Sequence, residues 1–248
     1  MMRALDALPS LDQASGLRRL LQSAPPRLLA VQGFSEVTTP WLATQLRLRA
    51  MAGVRTLVLD ETGGLTTMLA GRELADLLDV VDAGGETEDW RAFPLAGLQL
   101  VRVGRLVKHF SQDRICRQRS LRLLEVMRLG CDEWILNLGV MDVPGPSAFG
   151  RAAQRLLLLI DEDAAVAQQA WAMLQRLRAA GSQQQLAVCY AGCARNDGWR
   201  LAQGFAALAR TRLGMALRPV ASLGEAQLPD AREGGACVDA YLASLVQT

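Results

Sequence analysis

The chain has 248 residues, half of them apolar, and its 27 basic and 25 acidic side chains leave a net charge of +2. That is enough chain to bury one sizeable α/β core, and the apolar content excludes wholesale disorder. The balanced charge gives no footprint for nucleic acid, and no apolar run approaches the roughly 18 residues of a membrane span.

The N-terminus opens with a helical pattern. Ser10 and Gln13 stand at the spacing of an S-x-x-Q capping box. Leu11, Ala14, Leu17 and Leu21 then fall on one face, with Arg18 and Arg19 beside it. Asp6 and Asp12 lie where a secretion signal would be apolar, so the cytoplasm is the expected compartment. Pro25-Pro26 cuts this amphipathic helix off from the rest of the chain, which divides into a segment 1–24, a body 27–223 and a C-terminal piece 224–248.

In the body, apolar runs alternate with helical patterns. Leu28–Val31 reads as a strand, 33–40 as a loop, Trp41–Met51 as a helix and Thr56–Leu59 as a strand ending on Asp60. Gly63-Gly64 marks a turn and Glu73–Val81 a short helix. Strands follow over Leu98–Val103, Trp134–Leu138, Leu156–Ile160, Leu186–Tyr190 and Ala216–Val220. Helices are expected over Arg117–Leu129, from the loop at Asp142 to about Ala153, and over Ala164–Ala179 and Gly198–Leu213. Residues 224–235 read as a Gly-rich loop before a final short helix. Continuously apolar strands alternating with helices predict an α/β fold, a mostly parallel sheet with helices on both faces.

The order strand, loop, helix, strand from Leu28 to Asp60 is how such a fold offers backbone N–H groups and a helix N-terminus to a phosphate. A working phosphate loop needs several glycines and a lysine. Here Gly33 is the only glycine, and Glu36 puts a negative charge where phosphates would lie. Lys108 is the only lysine in the chain. The five cysteines (116, 131, 189, 193 and 237) form no Cys-x-x-Cys pair, and His109 is the only histidine, so no metal site is expected.

Two stretches resemble FlhG, the flagellar-number regulator of the MinD/ParA class of ATPases. Asp12-Gln13-Ala14-Ser15-Gly16-Leu17-Arg18 matches that family's N-terminal D-Q-A-x-x-L-R motif, and Leu57-Val58-Leu59-Asp60-Glu61-Thr62-Gly63-Gly64-Leu65 is similar to its L-L-D-A-D-x-G-L switch region. The resemblance implies a MinD/ParA-like P-loop NTPase fold. The family's K-G-G-x-G-K-T-[ST] loop, laid on residues 34–41, puts Phe34 and Thr39 where lysines belong and Pro40 at the magnesium-binding hydroxyl, with Thr38 before them. Thr62 stands at the switch region's second aspartate, and Asn137 where a D-T-x-x-G aspartate is expected. Each change removes a charge that magnesium or phosphate needs, so neither ATP nor magnesium is expected as a cofactor, and the family's hydrolysis is not expected either.

The resemblance implies a partner as well: FlhF, a GTPase of the signal-recognition-particle type. Gln13 would reach its GTP site, Ala14, Leu17 and Leu21 would pack against it, Arg18 would pair with an acid, and Asp12 would belong to the same partner-binding set. Flagellar switch-complex proteins and transcriptional regulators are further partners in this reading. Two alternatives stand beside it: a diverged ATPase that still binds nucleotide through backbone N–H groups, and a pseudo-ATPase of another bacterial surface system such as cellulose secretion. Membrane attachment is not expected, because Val238–Val246 has apolar spacing but no lysine or arginine follows Arg232.

Overall fold

The computed structural model describes residues 26–83, 89–110, 112–127, 130–140 and 147–227. The strands are β1 (Arg27–Gly33), β2 (Thr56–Asp60), β3 (Arg91–Leu95), β4 (Leu98–Arg102), β5 (Glu133–Val140), β6 (Arg155–Ile160), β7 (Gln185–Tyr190) and β8 (Leu217–Pro219). They form one sheet in the order β3-β4-β2-β5-β1-β6-β7-β8. All neighbours are parallel except the β3–β4 hairpin at one edge. The helices are α1 (Thr38–Met51), α2 (Gly64–Ala70), α3 (Leu77–Asp82), α4 (Gly104–His109), α5 (Arg114–Met127), α6 (Ala148–Ala152), α7 (Ala164–Ala179), α8 (Arg195–Leu213) and α9 (Leu223–Gln227).

The strand sequences explain the layering. Side chains alternate across a strand, and here both faces are apolar. Leu28 and Ala30 of β1, Leu57 and Leu59 of β2, and Leu156 and Leu158 of β6 face one core, which α3 to α8 complete. Leu29, Val31, Val58, Leu157 and Leu159 face the other, under α1, α2 and α9. A sheet covered on both sides has no need of a polar face, which is why these strands read as unbroken apolar runs.

Several elements differ from the sequence expectation for local reasons. Helix α1 starts at Thr38, before Trp41, because Pro40 is tolerated within a first helical turn. Helix α3 begins at Leu77 instead of Glu73, since the buried Asp76 carboxylate caps it by accepting from Leu78 N at 3.1 Å. Asp113 does the same for α5, accepting from Ile115 N at 2.7 Å. Helix α8 starts at Arg195. Residues 64–70 and 104–109 form α2 and α4, neither of them expected. Strand β3 was also unexpected: Gly97, at φ +81°, turns the chain into β4, and an edge strand accepts Pro94. Residues 223–227 are helical where a loop was expected from 224, because Leu223 and Ala226 are buried against α1's side of the sheet.

Candidate functional site

In open parallel sheets, ligands bind beyond the carboxyl ends of the strands at the point where strand order reverses. Here that place lies at the ends of β1, β2 and β5, with β1 between β5 and β6.

Residues 34–37 join β1 to α1 in a tight turn. Phe34 is 3 % exposed and lies in the core with Leu136 and Phe149. Glu36 is exposed. Thr38 is buried, and its hydroxyl donates to Ser35 O at 2.6 Å. A Cβ on Gly33 would lie 2.3 Å from Thr38 Oγ1, so this glycine makes room for a threonine of its own chain. The helix N-terminus has few donors to offer. Thr38 N is bonded to Ser35 O at 3.2 Å, Pro40 has no N–H, and Trp41 N turns back to Val37 O at 3.3 Å. Thr39 is left as the first-turn residue whose N–H has no backbone acceptor among the described residues.

Asp60 ends β2 fully buried. Its Oδ1 accepts from Thr62 N (3.2 Å), Thr62 Oγ1 (3.2 Å) and Asn137 Nδ2 (2.9 Å), and its Oδ2 accepts from Thr66 N (2.8 Å). Strand register brings the pair together, since Asp60 and Asn137 are direct partners across β2 and β5. A bulge in β5 then sets Gly139, at φ +74°, opposite Gln32. A Cβ on Gly139 would lie 2.0 Å from Thr62 Cγ2, so the backbone at Gly139 gives Thr62 its place. Gln32, 2 % exposed, closes the cluster by donating from Nε2 to Gly139 O at 2.7 Å and to Gly33 O at 3.0 Å.

Beside this knot, Ser147 Oγ donates to Glu61 Oε1 at 2.6 Å and accepts from Gly150 N at 2.9 Å, linking the β2–α2 loop to the start of α6. Burial, opposed by that hydrogen bond and helped by the neighbouring Asp60 charge, pushes the Glu61 carboxyl up from 4.5 to about 7. Next to α1, a cavity of about 400 Å³ is lined by Trp41, Gln45, Leu48, Cys189, Tyr190 and Trp199, among others. Burial pushes the Cys189 thiol up to about 12 and raises that of Cys193 as well, so neither is a thiolate nucleophile at neutral pH. His109 is exposed at the end of α4.

Of the residues singled out in the sequence, Asp60, Thr62 and Asn137 come into direct contact, while Gly33 and Thr38 close the neighbouring turn. Asp12, Gln13, Ala14, Leu17, Arg18 and Leu21 lie outside the described residues. Gln32, Glu61, Thr66 and Ser147 were missed. Gln32 alone carried a signal, a polar residue within an apolar strand immediately before Gly33.

No protein-family model matches the chain, and no curated protein matches it in sequence. Solved structures do match in fold. The MinD cell division protein of Aquifex aeolicus superposes with a TM-score of 0.53 at 15 % identity, covering 89 % of this chain and 95 % of that one. A ParA-family ATPase from Chlorobium tepidum gives 0.51 at 13 % identity over 89 % of both chains. McdA of Cyanothece, in complex with ATP, gives 0.52 at 15 % identity over 79 % of this chain and 83 % of its own. The chain thus has the fold of the MinD/ParA P-loop ATPases. At these identities the likeness is one of architecture, and what the site does is argued from its own residues.

Proposed function

We propose that the chain is a non-catalytic regulator, similar to FlhG, in which the MinD/ParA scaffold carries an N-terminal helix to a GTPase of the signal-recognition-particle type. The observation that carries the non-catalytic half is the state of Asp60. An acid that serves magnesium must leave oxygen lone pairs open to the ion or its waters, whereas this carboxylate accepts four hydrogen bonds from its own chain. The surroundings argue the same way. Glu36, Asp161, Glu162 and Asp163 all follow the carboxyl ends of strands, so the field at this edge opposes a triphosphate. Arg102, at the same edge, is engaged with Glu73. These residues do not fit magnesium-ATP.

The regulatory half rests on the sequence motif from Asp12 to Arg18 and on the Pro25-Pro26 break behind it. An amphipathic helix on a tether needs only a groove in its partner. Gln13 orients the attacking water in the partner's GTP site, Ala14, Leu17 and Leu21 bind, and flagellum number or placement is the process served.

Two measurements test the halves separately. Calorimetry with magnesium-ATP is expected to show no binding in the micromolar range; a dissociation constant below about 10 μM, roughly −7 kcal/mol, overturns the non-catalytic reading. The intact chain is expected to raise the GTP hydrolysis rate of an FlhF-type GTPase. Gln13→Ala should lower that rate while leaving binding largely intact, and Leu17→Ala should weaken binding by about 1–3 kcal/mol. Full stimulation by Gln13→Glu would reduce Gln13 to a helix cap.

A further inference from the structure

We propose that the outer face of α5, together with the end of α4, is a docking surface for an acidic, partly apolar helix of a partner protein. Although the whole chain is nearly neutral, this stretch is not. Lys108 and His109 end α4, and α5 carries Arg114, Arg117, Arg119 and Arg122. All are exposed except the half-buried Arg117. Among the described residues the ion pairs of arginine involve positions 49, 55, 72, 102, 105 and 195, none of them in this group.

The arginines at the start of α5 do not serve the dipole of the helix that bears them. The first turn of α5 contains no acid, and Arg114 and Arg117 stand near the helix end where the macrodipole disfavours positive charge. The nearby acids are outnumbered: Asp113, which caps Ile115 N and Cys116 N, and Glu125 stand against the four arginines of α5, and neither forms an ion pair among the described residues.

The arrangement on the face selects the occupant. One face of α5 is buried through Cys116, Ser120, Leu124 and Met127. On the opposite face Ile115, Arg119, Arg122 and Val126 follow one another at spacings of four, three and four residues, with Ile115 62 % and Val126 64 % exposed. The stripe therefore runs apolar, basic, basic, apolar over about 16 Å of helix. Arginine forks pair with carboxylates, and an arginine centre between apolar anchors is the composition of a protein–protein contact. A nucleic acid backbone has no use for the two apolar ends, and a lipid surface needs a continuous apolar face that two separated side chains do not make. The complement is a helix with glutamates at its centre and leucines about one turn to either side.

The test uses the full chain and a fluorescein-labelled peptide of that pattern, about five helical turns long. Comparison probes are the same peptide with glutamine for glutamate, a short DNA duplex, and vesicles of equal phosphatidylcholine and phosphatidylglycerol. At a salt level near 0.15 M, where distant charges are screened, the glutamate peptide is expected to bind at least tenfold tighter than the glutamine peptide. The Arg119→Glu/Arg122→Glu variant, with an unchanged melting temperature, should lose at least tenfold in affinity, and Ile115→Ala should lose several-fold. Arg212→Glu, an exposed reversal in the last turn of α8, should lose nothing. Three results overturn the proposal: no binding of the glutamate peptide, binding that Arg119→Glu/Arg122→Glu leaves unchanged, or equal or tighter binding of the duplex or the vesicles. None of them bears on the ATP or GTPase measurements.

Discussion

Replacing Asp60 with asparagine separates a structural knot from a cation site. In the present structure the two carboxylate oxygens share four donors: Thr62 N, Thr62 Oγ1 and Asn137 Nδ2 on one, Thr66 N on the other. Asparagine keeps a single oxygen. If that oxygen serves the three-donor side, its NH2 meets the Thr66 N–H, and a fully buried backbone donor loses its partner, at about 1–3 kcal/mol. The remaining three bonds also lose their charge assistance, worth roughly another 1 kcal/mol together. Rotating Asn137 to offer its oxygen instead abandons the Gly139 N–H, which it now accepts at 3.3 Å. The expected cost is thus about 2–4 kcal/mol, or a melting temperature lower by roughly 5–15 °C for a chain of this size. Thermal and urea unfolding in EDTA measure it. A carboxylate held open for a cation behaves the other way: neutralising it leaves the metal-free protein as stable or more so, and magnesium raises the melting point of the unsubstituted chain. Either of those outcomes refutes the assignment of Asp60 to the knot.

Glu61 and Arg49 give two further expectations. The Glu61 carboxyl is raised from 4.5 to about 7, so the folded state holds a proton that the unfolded chain has already lost between those values. Stability therefore falls as pH climbs from about 4.5 through about 7, by about 2 kcal/mol after allowing for partial exposure. Glu61→Gln, which keeps an acceptor for Ser147, should remove that slope in urea titrations at pH 5, 6.5 and 8, and an unchanged slope defeats the assignment. At the other end of the sheet, Arg49 clasps Glu133 through two hydrogen bonds of 2.5 Å, with Thr56 Oγ1 a third donor at 2.8 Å. Glu133 is 1 % exposed, so Arg49→Ala strands a buried carboxylate and should cost about 3–5 kcal/mol. Adding Glu133→Gln should recover much of the loss, and a single variant of full stability would contradict the buried pair.

The apolar runs of β1, β2, β5, β6 and β7 were legible in the sequence because side-chain alternation is a local property, and a sheet buried on both faces writes it as continuous hydrophobicity. Helix α7 was read at its full bounds for the same reason: Asp163 caps it and Val166, Ala170, Met173, Leu174 and Leu177 repeat at helical spacing. Asp60, Thr62 and Asn137 could likewise be singled out from residue types alone. What the residue types left open was their arrangement. Strand order set β5 between β1 and β2, and only that neighbourhood turned Asp60 from a strand-end acid into the acceptor for Asn137, 77 residues away. The same closeness gave Gly33 its purpose, space for the Thr38 hydroxyl, and gave Glu61 the burial that lifts its carboxyl. Periodicity is set by bonds along the chain, whereas hydrogen-bond partners and dielectric surroundings are set by which distant strands come to lie side by side.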